Sequence, residues 1–195
     1  GYSGSSPGPL QYGIYSMAIM DDNLYFHAND GVHGVELWKS DGTEAGTVMV
    51  KDIRSGYSQS GAGSTGITVI GNTLYFQAND GTNGAELWKS DGTADGTVMV
   101  KDIRSGSSGT AIMYLTAVGN TLYFQANDGT HGAELWKSDG TEAGTVMVKD
   151  IWSGTSSGSP GSNSYWFTPI GDTLYFSADD GTHGAELWKS CLLYT

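Results

Sequence analysis

The sequence predicts an all-β protein assembled from four copies of one small antiparallel sheet. Three observations carry that expectation. The run Glu-Leu-Trp-Lys-Ser occurs four times, with its tryptophan at Trp38, Trp88, Trp136 and Trp188. Those tryptophans stand 50, 48 and 52 residues apart, and a fixed period of about 50 residues is the mark of a repeat architecture. Thirty glycines against four prolines among 195 residues suit a chain of short strands and tight turns.

Each copy carries four strand-like segments, and the second copy shows them clearly. Segment a, Ile67 to Ile70, is β-branched and apolar. Gly71-Asn72 follows as a two-residue hairpin turn of the kind that needs positive φ. Segment b runs from Thr73 to Ala78, and Asn79 to Gly84 then forms a turn built on Asn-Asp-Gly. Segment c, Ala85 to Lys89, holds the Glu-Leu-Trp core, and Ser90 to Gly96 makes the third turn. Segment d is Thr97 to Ile103. All three connections are short enough for an antiparallel meander.

Alternation along the strands predicts what covers each sheet. Leu74 and Phe76 face one way and Tyr75 the other; Leu87 and Trp88 point to opposite sides. In segment d, Val98 and Val100 are expected opposite Met99 and Ile103. Large apolar groups on both faces require cover on both sides. Stacking copies around an axis supplies it, which is the β-propeller solution; an open stack of sheets is the alternative. The repeats divide as 1–53, 54–103, 104–151 and a shortened 152–190. Between them lie Ser/Gly-rich linkers of variable length, expected on the same face as the b–c turns.

The fourth copy reaches Ser190 and then reads Cys191-Leu192-Leu193-Tyr194-Thr195, where its sisters continue Asp-Gly-Thr. Residues 191–195 are expected to be a non-native tail, since they match one reading frame of a transposase mosaic-end adapter, and the chain is expected to be an internal fragment. Without a fourth segment d, roughly 6–10 kcal/mol of apolar burial would be lost, at about 1.5–3 kcal/mol per side chain. That rivals the stability of an ordinary domain. A marginal fragment with an exposed edge at the last segment c is therefore expected.

Composition narrows the function classes. A net charge of −12 and a pI near 4.4 disfavour nucleic acid and anionic lipid as partners. No apolar run reaches 18 residues, so no helix is expected to insert in a membrane. With one cysteine there is no disulfide framework and no cysteine metal site.

The repeated motif resembles a known group. Glu36-Leu37-Trp38-Lys39-Ser40-Asp41-Gly42-Thr43 is followed by Glu44-Ala45-Gly46-Thr47, and the runs Glu86 to Thr97 and Glu134 to Thr145 have the same form. In these residues the chain is similar to the ELWxxDGT repeat proteins. The resemblance implies a predominantly bacterial, exported or surface-associated protein with many tandem copies. A looser likeness to kelch repeats extends to repeat length and strand number. It stops at segment b, where Gln77-Ala78-Asn79-Asp80 replaces a double glycine.

Candidate chemistry is sparse. Asp30, Asp80, Asp128 and Asp180 recur in the b–c turn, Asp41, Asp91 and Asp139 in the c–d turn, and Asp52, Asp102 and Asp150 in segment d. They are read as turn-making and backbone-capping groups, with structural calcium in some turns as the alternative; no other cofactor is expected. Glu36, Glu86, Glu134 and Glu186 are stamped into every repeat, unlike a catalytic pair, and are expected to pair with lysines on neighbouring strands. His33, His131 and His183 share one turn position, where the second copy has Asn83. They are read as exposed turn residues and secondary ligand-binding candidates. Gly154 to Gly158 matches Gly-x-Ser-x-Gly without the strand–turn–helix context that motif requires.

The departures from repetition are aromatic. Tyr12, Tyr15, Tyr57, Tyr114, Trp152, Tyr165 and Trp166 lie in or beside the linkers. Such rings offer flat apolar contact to a sugar or a polymer, or else they plug the space between sheets. Tyr57, Tyr114, Trp152, Tyr165 and Trp166 are the main binding candidates. The expectation is a non-catalytic, secreted or cell-surface module binding a glycan or protein ligand through its inter-blade loops. The alternatives are a structural spacer or adhesin repeat with no specific ligand, and a targeting domain of an exported polysaccharide-active enzyme.

Overall fold

The computed structural model describes residues 14–56, 62–153 and 161–191. Tyr12, Tyr57, the Gly154–Gly158 match and residues 192–195 lie outside them, as does the side chain of Tyr15. The first sheet contains β1 (Ile14–Met20), β2 (Asn23–Asn29), β3 (Val35–Ser40) and β4 (Val48–Lys51). The second contains β5 (Ala62–Ile70), β6 (Thr73–Asn79), β7 (Ala85–Ser90) and β8 (Val98–Lys101). The third is β9 (Met113–Val118), β10 (Thr121–Asn127), β11 (Ala133–Ser138) and β12 (Val146–Lys149). The fourth is β13 (Tyr165–Ile170), β14 (Thr173–Asp179) and β15 (Ala185–Cys191). Every sheet is an antiparallel meander in sequence order.

The turns form where the sequence places them. Ile70 opposes Thr73, so Gly71-Asn72 closes the hairpin, with Gly71 at φ +56°. In the first blade the same turn is Asp21-Asp22, at φ +49° and +59°, a left-handed conformation that aspartate tolerates better than most residues. β15 runs one residue further than β3, β7 and β11, because Cys191 pairs with Thr173.

Each sheet has two apolar faces. Paired residues share a face, so Leu74, Phe76, Trp88 and Met99 lie on one side, the tryptophan face. Tyr75 and Leu87 lie on the other, the tyrosine face, where Val100 and Ile103 join them in the core. The expected separation of Ile103 from Val100 is therefore corrected: β8 stops at Lys101, the alternation stops with it, and the chain turns Ile103 back to the Val100 side. Three cores result. The tyrosine face of blade 1 packs on the tryptophan face of blade 2, uniting Tyr25, Leu37 and Val50 with Leu74, Phe76 and Trp88. The same faces meet between blades 2 and 3 and between blades 3 and 4. Strands β1, β5, β9 and β13 pack in succession along the inner side.

Candidate functional site

The acidic residues of the turns are committed to their own backbone. Asp30 Oδ1 accepts from the Val32 and His33 amides at 2.9 and 2.8 Å, and its Oδ2 meets His33 Nδ1 at 2.6 Å. His131 with Asp128 and His183 with Asp180 repeat the arrangement at 2.7 and 2.8 Å. In the second blade Asn83 Nδ2 donates to Asp80 Oδ2 at 2.7 Å, so asparagine does the work of histidine. Burial pushes the Asp30 carboxyl up, but the bonds from His33 and Val32 outweigh it and hold it below the usual range. The bond from the His183 ring takes Asp180 to about 2. Each histidine is raised in turn, first by its aspartate's hydrogen bond.

The c–d turns follow the same logic. Asp91 Oδ1 accepts from the Thr93 amide at 2.9 Å and hydroxyl at 2.7 Å. A β-carbon at Gly96 would collide with that carboxylate, which explains the glycine there. Asp52, Asp102 and Asp150 differ, because Oδ1 of each is buried with no hydrogen-bond partner. Among the described residues no group of three or more His, Cys, Asp or Glu is gathered to hold a metal ion.

The repeated glutamates do not pair with lysine. Glu86 is fully buried, and its carboxylate accepts the Ile103 amide at 3.0 Å and the Arg104 amide at 3.2 Å. Glu36 holds Ile53 and Arg54 in the same way. Glu134 holds Ile151 and Trp152, and also the Ser162 amide at 2.9 Å. The expected ion pairs fail because the lysine of the motif is needed elsewhere. Lys39 Nζ donates to Gly92 O of the next blade at 3.1 Å, and Lys89 Nζ to Gly140 O at 2.9 Å. Burial pushes the carboxyls of Glu36 and Glu86 up to about 7, against the amide bonds that favour the charged form.

The aromatic candidates divide into two groups. Trp152 sits one place after Ile151, where the earlier repeats have Arg54 and Arg104. Arg54 and Arg104 lie against Gly81 and Gly129 of the following blade's b–c turn, and Trp152 lies against Gly181. Trp152 is thus a wedge between blades. Tyr114 is also tied across a blade boundary, with its ring 5.8 Å from Phe167, which in turn lies 6.0 Å from Phe176.

Trp166 is different. It stands at a bulge where the β13–β14 register shifts, with φ +60°, and its side chain is 76% exposed. Tyr165 lies edge-on to it at 6.3 Å. Tyr114 occupies the matching bulge of the third blade at φ +57° and is 47% exposed. The second blade has Gly66 there, at φ +99°. A bulky residue at positive φ is a strained choice, and such strain concentrates at functional places. Beside Trp166 lies an open groove of about 390 Å³, lined also by Thr168, Tyr175, Ser177, Glu186 and Leu187. The structure thus brings Tyr165 and Trp166 together. It keeps His33, His131 and His183 in separate turns. Sequence reading missed Tyr175 and Leu187, which sit at repeated positions buried in the other blades. Counting two residues back from Thr68, Thr116 and Thr168 would have exposed the bulge, because Gly66 marks it.

No protein-family model and no curated protein matches the chain. Among solved structures, the chain resembles the computationally designed Ika4 protein over 94% of both chains, at 19% identity and a TM-score of 0.50. It also resembles a puromycin hydrolase S511A mutant complexed with PGG, at 14% identity and a TM-score of 0.58. That match covers 90% of this chain and 26% of the hydrolase, so the chain spans about a quarter of that protein's length.

The fold is that of a β-propeller. Among the described residues three blades have four strands and the fourth has three. Although one of these structures is a hydrolase, identities this low concern the fold alone. In the propeller frame, the b–c turns, the 104–110 linker, Tyr114 and Trp166 all lie at one end of the blades, because inner strands begin where the b–c hairpins turn.

Proposed function

We propose that this chain is a non-catalytic module of a secreted or cell-surface protein, and that it binds a glycan or protein ligand in the groove beside Trp166. The observation that carries this reading is the exposed indole, held at positive φ on a rigid sheet beside an open groove. The turn chemistry supports it: the aspartates of the b–c and c–d turns and the glutamates of the first three blades are engaged by backbone amides. The high negative charge and the likeness to the ELWxxDGT repeats support an exported setting. The same likeness supports assignment to that family.

A glycan array probed with the wild-type chain and with Trp166→Ala tests the reading. Binding that falls at least tenfold in the variant, with the far-UV spectrum unchanged, is the expected result. Equal binding by both chains would remove the groove from consideration. The spacer alternative predicts no specific signal on glycans or on protein partners.

A further inference from the structure

Three inter-blade interfaces in this molecule use one pair of faces, and one copy of each face is left over. At the far end of the series the tyrosine face of blade 4 is open. Leu187 is 78% exposed and Ile170 is 64% exposed, whereas Leu37, Leu87 and Leu135, and likewise Val118, are buried at the matching positions of earlier blades. At the near end the tryptophan face of blade 1 is open along its inner strand. Met17 is 62% and Ile19 73% exposed, while Ile67 and Val69 at the same positions pack into a core. Phe26, further out on that face, is already buried. Among the described residues no core cluster joins blade 4 to blade 1.

The polar contacts repeat the pattern. Between blades 1 and 2 and between blades 2 and 3, a tyrosine hydroxyl and a lysine reach the glycine of the next blade's c–d turn. Tyr25 and Lys39 meet Gly92, and Tyr75 and Lys89 meet Gly140. Gly42 is the glycine of blade 1, and a β-carbon there would meet nothing within 4 Å. Tyr175 and Lys189 are the corresponding tyrosine and lysine of blade 4. In the interface between blades 3 and 4, Tyr114 also packs on Phe167. Trp166 and Met17 hold those two positions at the free ends.

We infer that the open tyrosine face of blade 4 binds the open tryptophan face of blade 1 in a second copy of this chain. The contact is head-to-tail. Tyr175 and Lys189 seat on Gly42, Trp166 packs on Met17, and Leu187 and Ile170 are covered beside Ile19. Because the two faces differ, the interface is heterologous. Two copies closing on each other pair both open faces and bring the four blades of each into one ring. The inference deepens the function proposed above, since it names a protein occupant for the groove beside Trp166 and rests on that groove being a binding site.

The test is mass in solution, measured by light scattering after size exclusion at tens of micromolar in 0.15 M salt. The wild-type chain is expected as a dimer or a larger assembly. Ile19→Glu blocks only one face and Leu187→Glu only the other, so each alone should run as a monomer. Their equimolar mixture should recover a dimer, because one intact interface remains. Both residues are exposed in the single chain, so neither change removes core packing, and a β-sheet far-UV spectrum checks the fold. Gly42→Ala, which collides only with a docked Tyr175, should weaken association at least tenfold as a second variant.

A monomeric wild type, self-association of either Glu variant, or a mixture that stays monomeric would overturn the inference. A monomeric wild type that still binds on the glycan array through Trp166 would leave the proposed function standing. Loss of the glycan signal with dimerisation intact would do the reverse for the glycan ligand.

Discussion

Tyr25 of the first blade closes over Gly92 of the second so tightly that a β-carbon at Gly92 would collide with its hydroxyl. The glycine is therefore required twice, once for its φ of +86° and once for the space that the tyrosine takes. Gly42 has φ +89° but open surroundings, so it needs glycine for the backbone alone.

This pair separates conformational strain from blade packing. Gly42→Ala should cost about 1–2 kcal/mol, the usual penalty for an L-residue in the left-handed region. Gly92→Ala should cost that and roughly 1–3 kcal/mol more, as in an overpacked core. Urea unfolding of both variants at submicromolar concentration, where association with a second copy is minimised, reads the difference. Equal costs would mean that Tyr25 moves aside freely.

The buried glutamates make stability depend on pH in a direction opposite to ordinary acid denaturation. Glu36 and Glu86 have folded values near 7, above the reference value of 4.5. The native state therefore holds more protons than the unfolded state between those values, and stability falls as pH rises from 4.5 to 7. The loss is at most about 3 kcal/mol per glutamate. His33 and His131 act in the same direction, since their raised values give stability that is complete below 6.5 and lost above it. The lowered turn aspartates oppose this only at acid pH, where their contribution is lost as pH falls below 3.8. A urea midpoint higher at pH 5 than at pH 8 is expected. Glu86→Gln should flatten that slope at little cost at pH 5, where the protonated Glu86 carboxyl, like the amide, already offers one good accepting oxygen to the Ile103 and Arg104 amides. A midpoint that rises from pH 5 to pH 8 would show that Glu36 and Glu86 titrate normally.

The histidines of the b–c turns should be replaceable where the second blade already replaces one. His131→Asn copies the Asn83–Asp80 bond and should leave stability within about 0.5 kcal/mol. His131→Ala removes the partner of Asp128 and should cost about 1 kcal/mol, as lost capping bonds do. Ligand binding should be unchanged in both. A loss of binding in His131→Asn alone would make the ring itself functional.

Strand positions, turns and the two apolar faces were legible in the sequence because each follows from a local rule. Gly71-Asn72 must turn, and Phe76 and Tyr75 must diverge. The partners of Glu86 were not legible, since they are backbone amides brought round by the chain after β8, which no residue type announces. Ile103 was misassigned for the same reason: alternation predicts a face only while the strand lasts. Trp166 was legible as an outlier among repeats, but its exposure was not. That exposure depends on which blade has a neighbour, a property of the assembled series and not of any one repeat.

Trp166 allows stability and binding to be set against each other at one residue. Its φ of +60° is a conformation that glycine adopts without penalty, and Gly66 does so in the second blade. Its side chain is exposed, so removing the indole should sacrifice little packing in the single chain. Trp166→Gly should therefore stabilise the isolated chain, by up to about 1 kcal/mol once the extra freedom of glycine in the unfolded state is counted. Trp166→Ala keeps the strain and should leave stability nearly unchanged. Both should lose whatever the groove binds. Thermal melts below the association threshold, paired with the binding measurement, decide the matter. If Trp166→Gly melts lower than wild type, the indole is a packing element of the fourth blade, and its strained conformation needs no functional explanation.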